Sequence, residues 1–197
     1  MLRFYDKRIG KYQVNITPGE MYVTKQDERI FTVLGSCIAV CLLDDTASIG
    51  GMNHFMLAKR DKRDTEDARK GRYGNLAMDR LFRSMLARGA KQEHLNARIV
   101  GGAATTPTCC ANHCVAKENT RFAKAYLEET NIPIVSYDTG GSSARQLYFD
   151  VRSGRISVRL LARKGFDSCE TIMHEPGAKG TAGARCCQDV RMIKRAT

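Results

Sequence analysis

What most constrains the fold is a rhythm of short apolar segments between residues 11 and 57, each closed by turn chemistry before it is long enough to make a helix. Lys11-Tyr-Gln-Val-Asn-Ile16 alternates polar and apolar side chains, Thr17-Pro-Gly-Glu20 supplies a turn, and Met21-Tyr-Val-Thr24 resumes an extended pattern. Phe31 to Leu34 and Ile38 to Leu43 read as consecutive buried strands broken at Gly35-Ser36. Asp44-Asp-Thr-Ala47 then turns the chain into a further strand candidate from Ser48 to Leu57. A chain with this opening builds sheets.

Helical periodicity enters later. Residues 58 to 72 carry charge and few bulky apolar side chains, which reads as a loop. Asn75 is placed to N-cap a helix whose Leu76, Met78, Leu81, Phe82, Met85 and Leu86 mostly share one face, and Gly89 is a suitable terminator. Ala97 to Val100 is a strand running into Gly101-Gly102, followed by an irregular stretch to Cys114. Glu118 to Glu129 has helical spacing and is stopped by Asn131 and Pro133, and Ile134 to Tyr137 is extended. Arg145 to Val151 and Arg155 to Leu161 flank Arg152-Ser-Gly154 as a hairpin. From Lys164 the pattern fades. The expectation is an α+β fold with a β-rich, sandwich-like core of mixed sheets under two main helices. Residues 1–163 would form one domain and 164–197 a weakly ordered or peripheral tail. At 197 residues and 43% apolar, the chain can bury such a core.

No apolar run approaches the roughly 20 residues that span a bilayer. The N-terminus lacks the apolar stretch and cleavage site of a secretory signal. A soluble, cytoplasmic protein is expected. The eight cysteines include the adjacent pairs Cys109-Cys110 and Cys186-Cys187, a spacing awkward for separate bridges, so reduced thiols are expected. Cys109-Cys-Ala-Asn-His-Cys114 has the donors of a zinc site without the usual gaps or a second ligand pair. A formal charge of +11 is read first as a solvated surface, second as a rim for phosphate or an acidic protein face. With no Trp and no aromatic-interleaved basic stripe, nucleic-acid binding ranks last.

Two apolar runs carry side chains that do chemistry. Thr32-Val-Leu-Gly-Ser-Cys37-Ile-Ala-Val-Cys41 places a thiol after two small residues, and Gly50-Gly-Met-Asn-His54-Phe-Met-Leu57 embeds an imidazole seventeen residues on. Folded back through the Asp44-Asp45 turn, Cys37 and His54 can meet as nucleophile and base. Gly35 and Ser36 permit a tight turn that aims backbone N–H groups, that of Cys37 among them, at an oxyanion. Thr32 offers a hydroxyl to orient the imidazole. Equally, a cysteine in an apolar run is often a small buried hydrophobe and a lone histidine often structural.

The order of these segments resembles the chemoreceptor glutamine deamidase family, CheD. The resemblance runs from about residue 11 to 161. It includes Pro18-Gly-Glu20, Leu34-Gly-Ser-Cys37, Asn53-His-Phe55, Arg72-Tyr-Gly74, Gly101-Gly-Ala103, Glu118-Asn119 and Asp138-Thr-Gly-Gly141. It implies a protein-glutamine amidohydrolase that converts selected glutamines of methyl-accepting chemotaxis receptors to glutamate through a cysteine thioester. Cys37 would be the nucleophile, His54 the general base and acid, and Thr32 its orienter, with no metal or organic cofactor. It also implies acidic receptor helices that a cationic rim would help to dock, and a CheC-type phosphatase as a further partner. The rival reading is a binding module that regulates such a phosphatase or receptor without turnover.

Overall fold

A computed structural model describes residues 1–59, 70–105, 114–161 and 170–172. The strands are β1 (Leu2–Asp6), β2 (Lys11–Asn15), β3 (Met21–Thr24), β4 (Glu28–Leu34), β5 (Ile38–Asp44), β6 (Ile49–Asn53), β7 (Leu95–Gly101), β8 (Ile134–Thr139), β9 (Arg145–Asp150), β10 (Arg155–Leu160) and β11 (Glu170–Ile172). The helices are α1 (Gly74–Ala87) and α2 (Val115–Glu129). One sheet has the order β1-β2-β4-β9-β10-β11, the other β3-β6-β5-β7-β8. Both mix parallel and antiparallel pairs, so the fold is α+β with a β-rich core, as expected.

The layers follow from side-chain alternation. Every residue of β5 is buried. Ile38, Val40 and Leu42 face α1 and α2, among Met78, Leu81, Met85, Ala123 and Leu127. Ala39, Cys41 and Leu43 face the first sheet, among Ile30, Leu34, Leu147 and Phe149. A strand covered on both sides reads as a continuous apolar run, which is what Ile38 to Leu43 is.

Several boundaries depart from the sequence expectation, each for a physical reason. The segments around Phe31 and Ile38 are not neighbouring strands of one sheet. β4 pairs with β2 and β9, β5 with β6 and β7, and the chain crosses between the sheets at Gly35-Ser36-Cys37. Asn75 does not cap α1. A bridge between Leu57 and Tyr73 holds Tyr73 extended (φ −99°, ψ 133°), so the helix starts directly after it with no side-chain cap. The other end is as expected. Gly89 (φ +96°) donates its N–H to the Leu86 carbonyl at 2.8 Å, and Ala90 donates to Met85 at 3.1 Å, a Schellman stop. α2 starts at Val115, a turn earlier than its motif suggested. β1 was unforeseen because it is a largely exposed edge strand, and β11, from the segment expected as tail, pairs with β10.

Among the described residues Cys37 and Cys41 are free thiols, but Cys114 is disulfide-bonded, contrary to the expected reduced set. Residues 109–113 of the cysteine-rich cluster lie outside the described residues. So do Cys169, Cys186 and Cys187. No described helix is long and apolar enough to cross a membrane.

Candidate active site

The candidate residues lie on β4 (Thr32), at the crossover before β5 (Cys37) and just after β6 (His54). Thr32 lies on β4 with its side chain turned, like those of Ile30 and Leu34, toward the second sheet. Its hydroxyl is 2.8 Å from the Ile16 carbonyl and 2.8 Å from His54 Nδ1. A hydroxyl has one proton and a carbonyl can only accept, so Thr32 donates to Ile16 and accepts from His54 Nδ1–H. That assignment leaves the lone pair on Nε2. Nε2 is buried and has no hydrogen-bond partner among the described residues. Burial also lowers the imidazole pKa from 6.5 to about 4, keeping the ring neutral.

Cys37 stands immediately before β5. Ile38 and Phe55 form an antiparallel bridge through two hydrogen bonds, Ile38 N–H to Phe55 O at 3.1 Å and Phe55 N–H to Ile38 O at 3.0 Å. This register sets Ala39 opposite His54 and Cys37 diagonal to it, on the face that looks toward the first sheet. Met52 and Cys41 are directly paired on that same face. The two free thiols differ sharply. Cys41 is fully buried between the sheets and burial pushes it up to about 12, the mark of a packing residue. Cys37 is only half-buried. Burial raises its thiol and its own backbone N–H works the other way.

The remaining motifs surround this pair. His54 donates its N–H to Glu20 O (3.0 Å) and accepts from Gly19 N–H (2.7 Å), which fixes its backbone against the Pro18-Gly-Glu20 turn. Met56 and Leu57 donate to the Arg72 carbonyl. Gly102 donates to Cys37 O and Ala103 to Gly35 O, both at 2.8 Å. At Gly101 (φ +121°) a Cβ would collide with the Cys37 carbonyl. Arg145 donates to Asp138 Oδ1 and O and to Gly140 O, holding the Asp138–Gly141 loop, whose Gly140 N–H reaches Gly101 O. Asn119, fully buried on α2, donates from Nδ2 to Ser36 O (3.1 Å) and Met56 O (2.8 Å). The N–H groups of Ser36 and Cys37 donate to no backbone carbonyl among the described residues. No group of three or more His, Cys, Asp or Glu side chains among those residues could hold a metal ion.

Of the residues the sequence points to, Thr32 and His54 are hydrogen-bonded, and Cys37 lies diagonal to His54 across the Ile38–Phe55 bridge. The sequence could not assign Asn119 a contact, because its partner Ser36 lies 83 residues away.

A partly exposed thiol and an unprotonated imidazole nitrogen are the equipment of cysteine-dependent acyl transfer. Similarity to known proteins identifies the family. Residues 56–160 match the family model described as CheD chemotactic sensory transduction. A probable chemoreceptor glutamine deamidase CheD of Methylobacillus flagellatus is 38% identical over 160 residues, covering 80% of this chain and 78% of the relative. A second, from Shewanella oneidensis, is 44% identical over 157 residues, covering 77% and 78%. One from Caulobacter vibrioides is 43% identical over 155 residues, covering 76% and 79%. The chain belongs to the CheD family.

Proposed function

We propose that this protein is a chemoreceptor glutamine deamidase, the activity that its relatives' names carry, and that Cys37, His54 and Thr32 perform it. The observation that supports the residue assignment is the Thr32–His54 hydrogen bond, which leaves Nε2 unprotonated on the segment that bridges to β5, the strand Cys37 immediately precedes.

In the proposed reaction the Cys37 sulfur forms a bond to the glutamine side-chain carbonyl carbon while His54 Nε2 takes the thiol proton. The carbonyl electron pair moves onto oxygen, where the Cys37 N–H, in the turn shaped by Gly35 and Ser36, stabilises it. His54 then passes the proton to the nitrogen, the C–N bond breaks and ammonia leaves. A thioester remains. His54 deprotonates a water that attacks it, and collapse returns the thiol and releases glutamate. Both reacting groups rest neutral, because burial raises the thiol and lowers the imidazole. The proton therefore moves during attack and not before it.

The substrate side chain belongs to a chemotaxis receptor, and the strongly basic chain (+11) suits docking on an acidic helical surface. A cytoplasmic location, a CheC-type phosphatase as a further partner, and a deamidase domain over residues 1–163 with a peripheral tail complete the proposal. Peptide mass mapping of a purified chemoreceptor incubated with the protein tests it. Defined glutamines should become glutamates, and a receptor returned unmodified would contradict the reading.

A further inference from the structure

We infer that Asn119 is a positioning residue that aims the Cys37 N–H at the developing oxyanion, an inference that rests on the deamidase reading above. The Ser36 carbonyl and the Cys37 N–H belong to one planar peptide unit. Asn119 Nδ2 donates to that carbonyl at 3.1 Å, which fixes the plane of the peptide. A hydrogen bond accepted at the carbonyl end of a peptide also polarises it and strengthens its N–H as a donor. The next peptide is held independently by Gly102 N–H on Cys37 O at 2.8 Å. The nucleophile is thus bracketed by two fixed peptides, and Asn119 fixes the one whose donor faces the reaction.

The same Nδ2 group donates to Met56 O at 2.8 Å, two residues beyond His54. One amide therefore ties the nucleophile turn and the segment leaving the base to the same point on α2. The partners fix the orientation of the amide: turned over, Oδ1 would confront two carbonyl oxygens. Oδ1 itself is buried without a partner among the described residues. Burying an unsatisfied acceptor is costly, and an apolar side chain of similar size would avoid that cost. What the apolar side chain would lack is the donor pair. The neighbouring turn of α2 packs in the same place, since a Cβ on Gly102 would strike the Thr120 hydroxyl.

Two reactions of the same thiol separate positioning from general support. Glutamine deamidation passes through an oxyanion. Alkylation of Cys37 by iodoacetamide is a displacement at saturated carbon and does not. In Asn119→Ala, kcat for ammonia release from a purified chemoreceptor should fall about 10–100-fold with KM within about twofold, part of the loss seen when an oxyanion donor is removed outright. The alkylation rate of Cys37 at the same pH should stay within about threefold. Unchanged kcat would overturn the inference, and so would a parallel collapse of both reactions, which marks a structural residue. If Asn119→Ala does not fold, Asn119→Ser is read by the same criteria, and failure of both to fold also overturns it. Wild-type protein that releases no ammonia would remove the deamidase reading and this inference together, whereas an Asn119 variant with wild-type kcat removes this inference alone.

Discussion

Burial holds the His54 ring neutral down to about pH 4, so the proposed base keeps its lone pair throughout the mildly acidic range. kcat/KM should therefore stay level from neutrality to about pH 5 and decline only as pH approaches about 4. An acid limb centred near 6.5 would show an imidazole that is not desolvated. Stability has the same sign. The folded ring protonates near 4 and the unfolded one near 6.5, so the contribution is complete above 6.5 and lost as pH falls through that window. Urea midpoints should register a loss of up to about 3 kcal/mol, and a His54→Leu variant should lack that part of the acid loss. Thr32→Val removes the acceptor for Nδ1–H and should lower kcat about 100-fold by freeing the ring's orientation, with KM little changed. Iodoacetamide should modify Cys37 ahead of Cys41, since only Cys37 meets solvent. The two thiols are four residues apart in one apolar run. Their difference was invisible to hydropathy and follows from where the first sheet ends and the second begins.

At the scale of the element, legibility tracks periodicity. α1 announced its apolar face and its Gly89 stop, and β5 its double burial, because these patterns are written in consecutive residues. β1 escaped because an exposed edge strand needs no alternation, with Leu2 61% and Tyr5 52% accessible. The parallel β2–β4 pairing escaped because β3 leaves for the other sheet between them. In the same way, the separate glycine motifs were recognisable, yet what they do was not. Gly101-Gly102 backs the Cys37 carbonyl through space, and only coordinates reveal it. Gly101→Ala should therefore cost about 2–3 kcal/mol from its positive φ and the backbone collision, and deamidation should fall at least about tenfold. Gly89→Ala, also at positive φ but remote from Cys37, should lower stability by about 1 kcal/mol and leave kcat unchanged. Thermal melts read beside ammonia release check both.

For the whole molecule, two stacked sheets place His54 just after β6, Thr32 on the facing sheet, and Cys37 at the crossover between them. No single segment contains the site. The resemblance in the sequence points to these three residues, and the fold shows Thr32 and His54 hydrogen-bonded across the sheets. The net charge of +11 acts at this scale as well. If it steers the protein onto acidic receptor helices, kcat/KM should fall several-fold between low salt and about 0.5 M as screening shortens its reach, with kcat unchanged. A salt-independent kcat/KM would return the charge to ordinary surface. The pairing of thiol and imidazole is tested most directly by ammonia release from a purified chemoreceptor with Cys37→Ala and His54→Ala beside the wild type. Both variants should fold and release none. Full activity in either would contradict the account and leave the chain as a binding module whose crossover residues only pack.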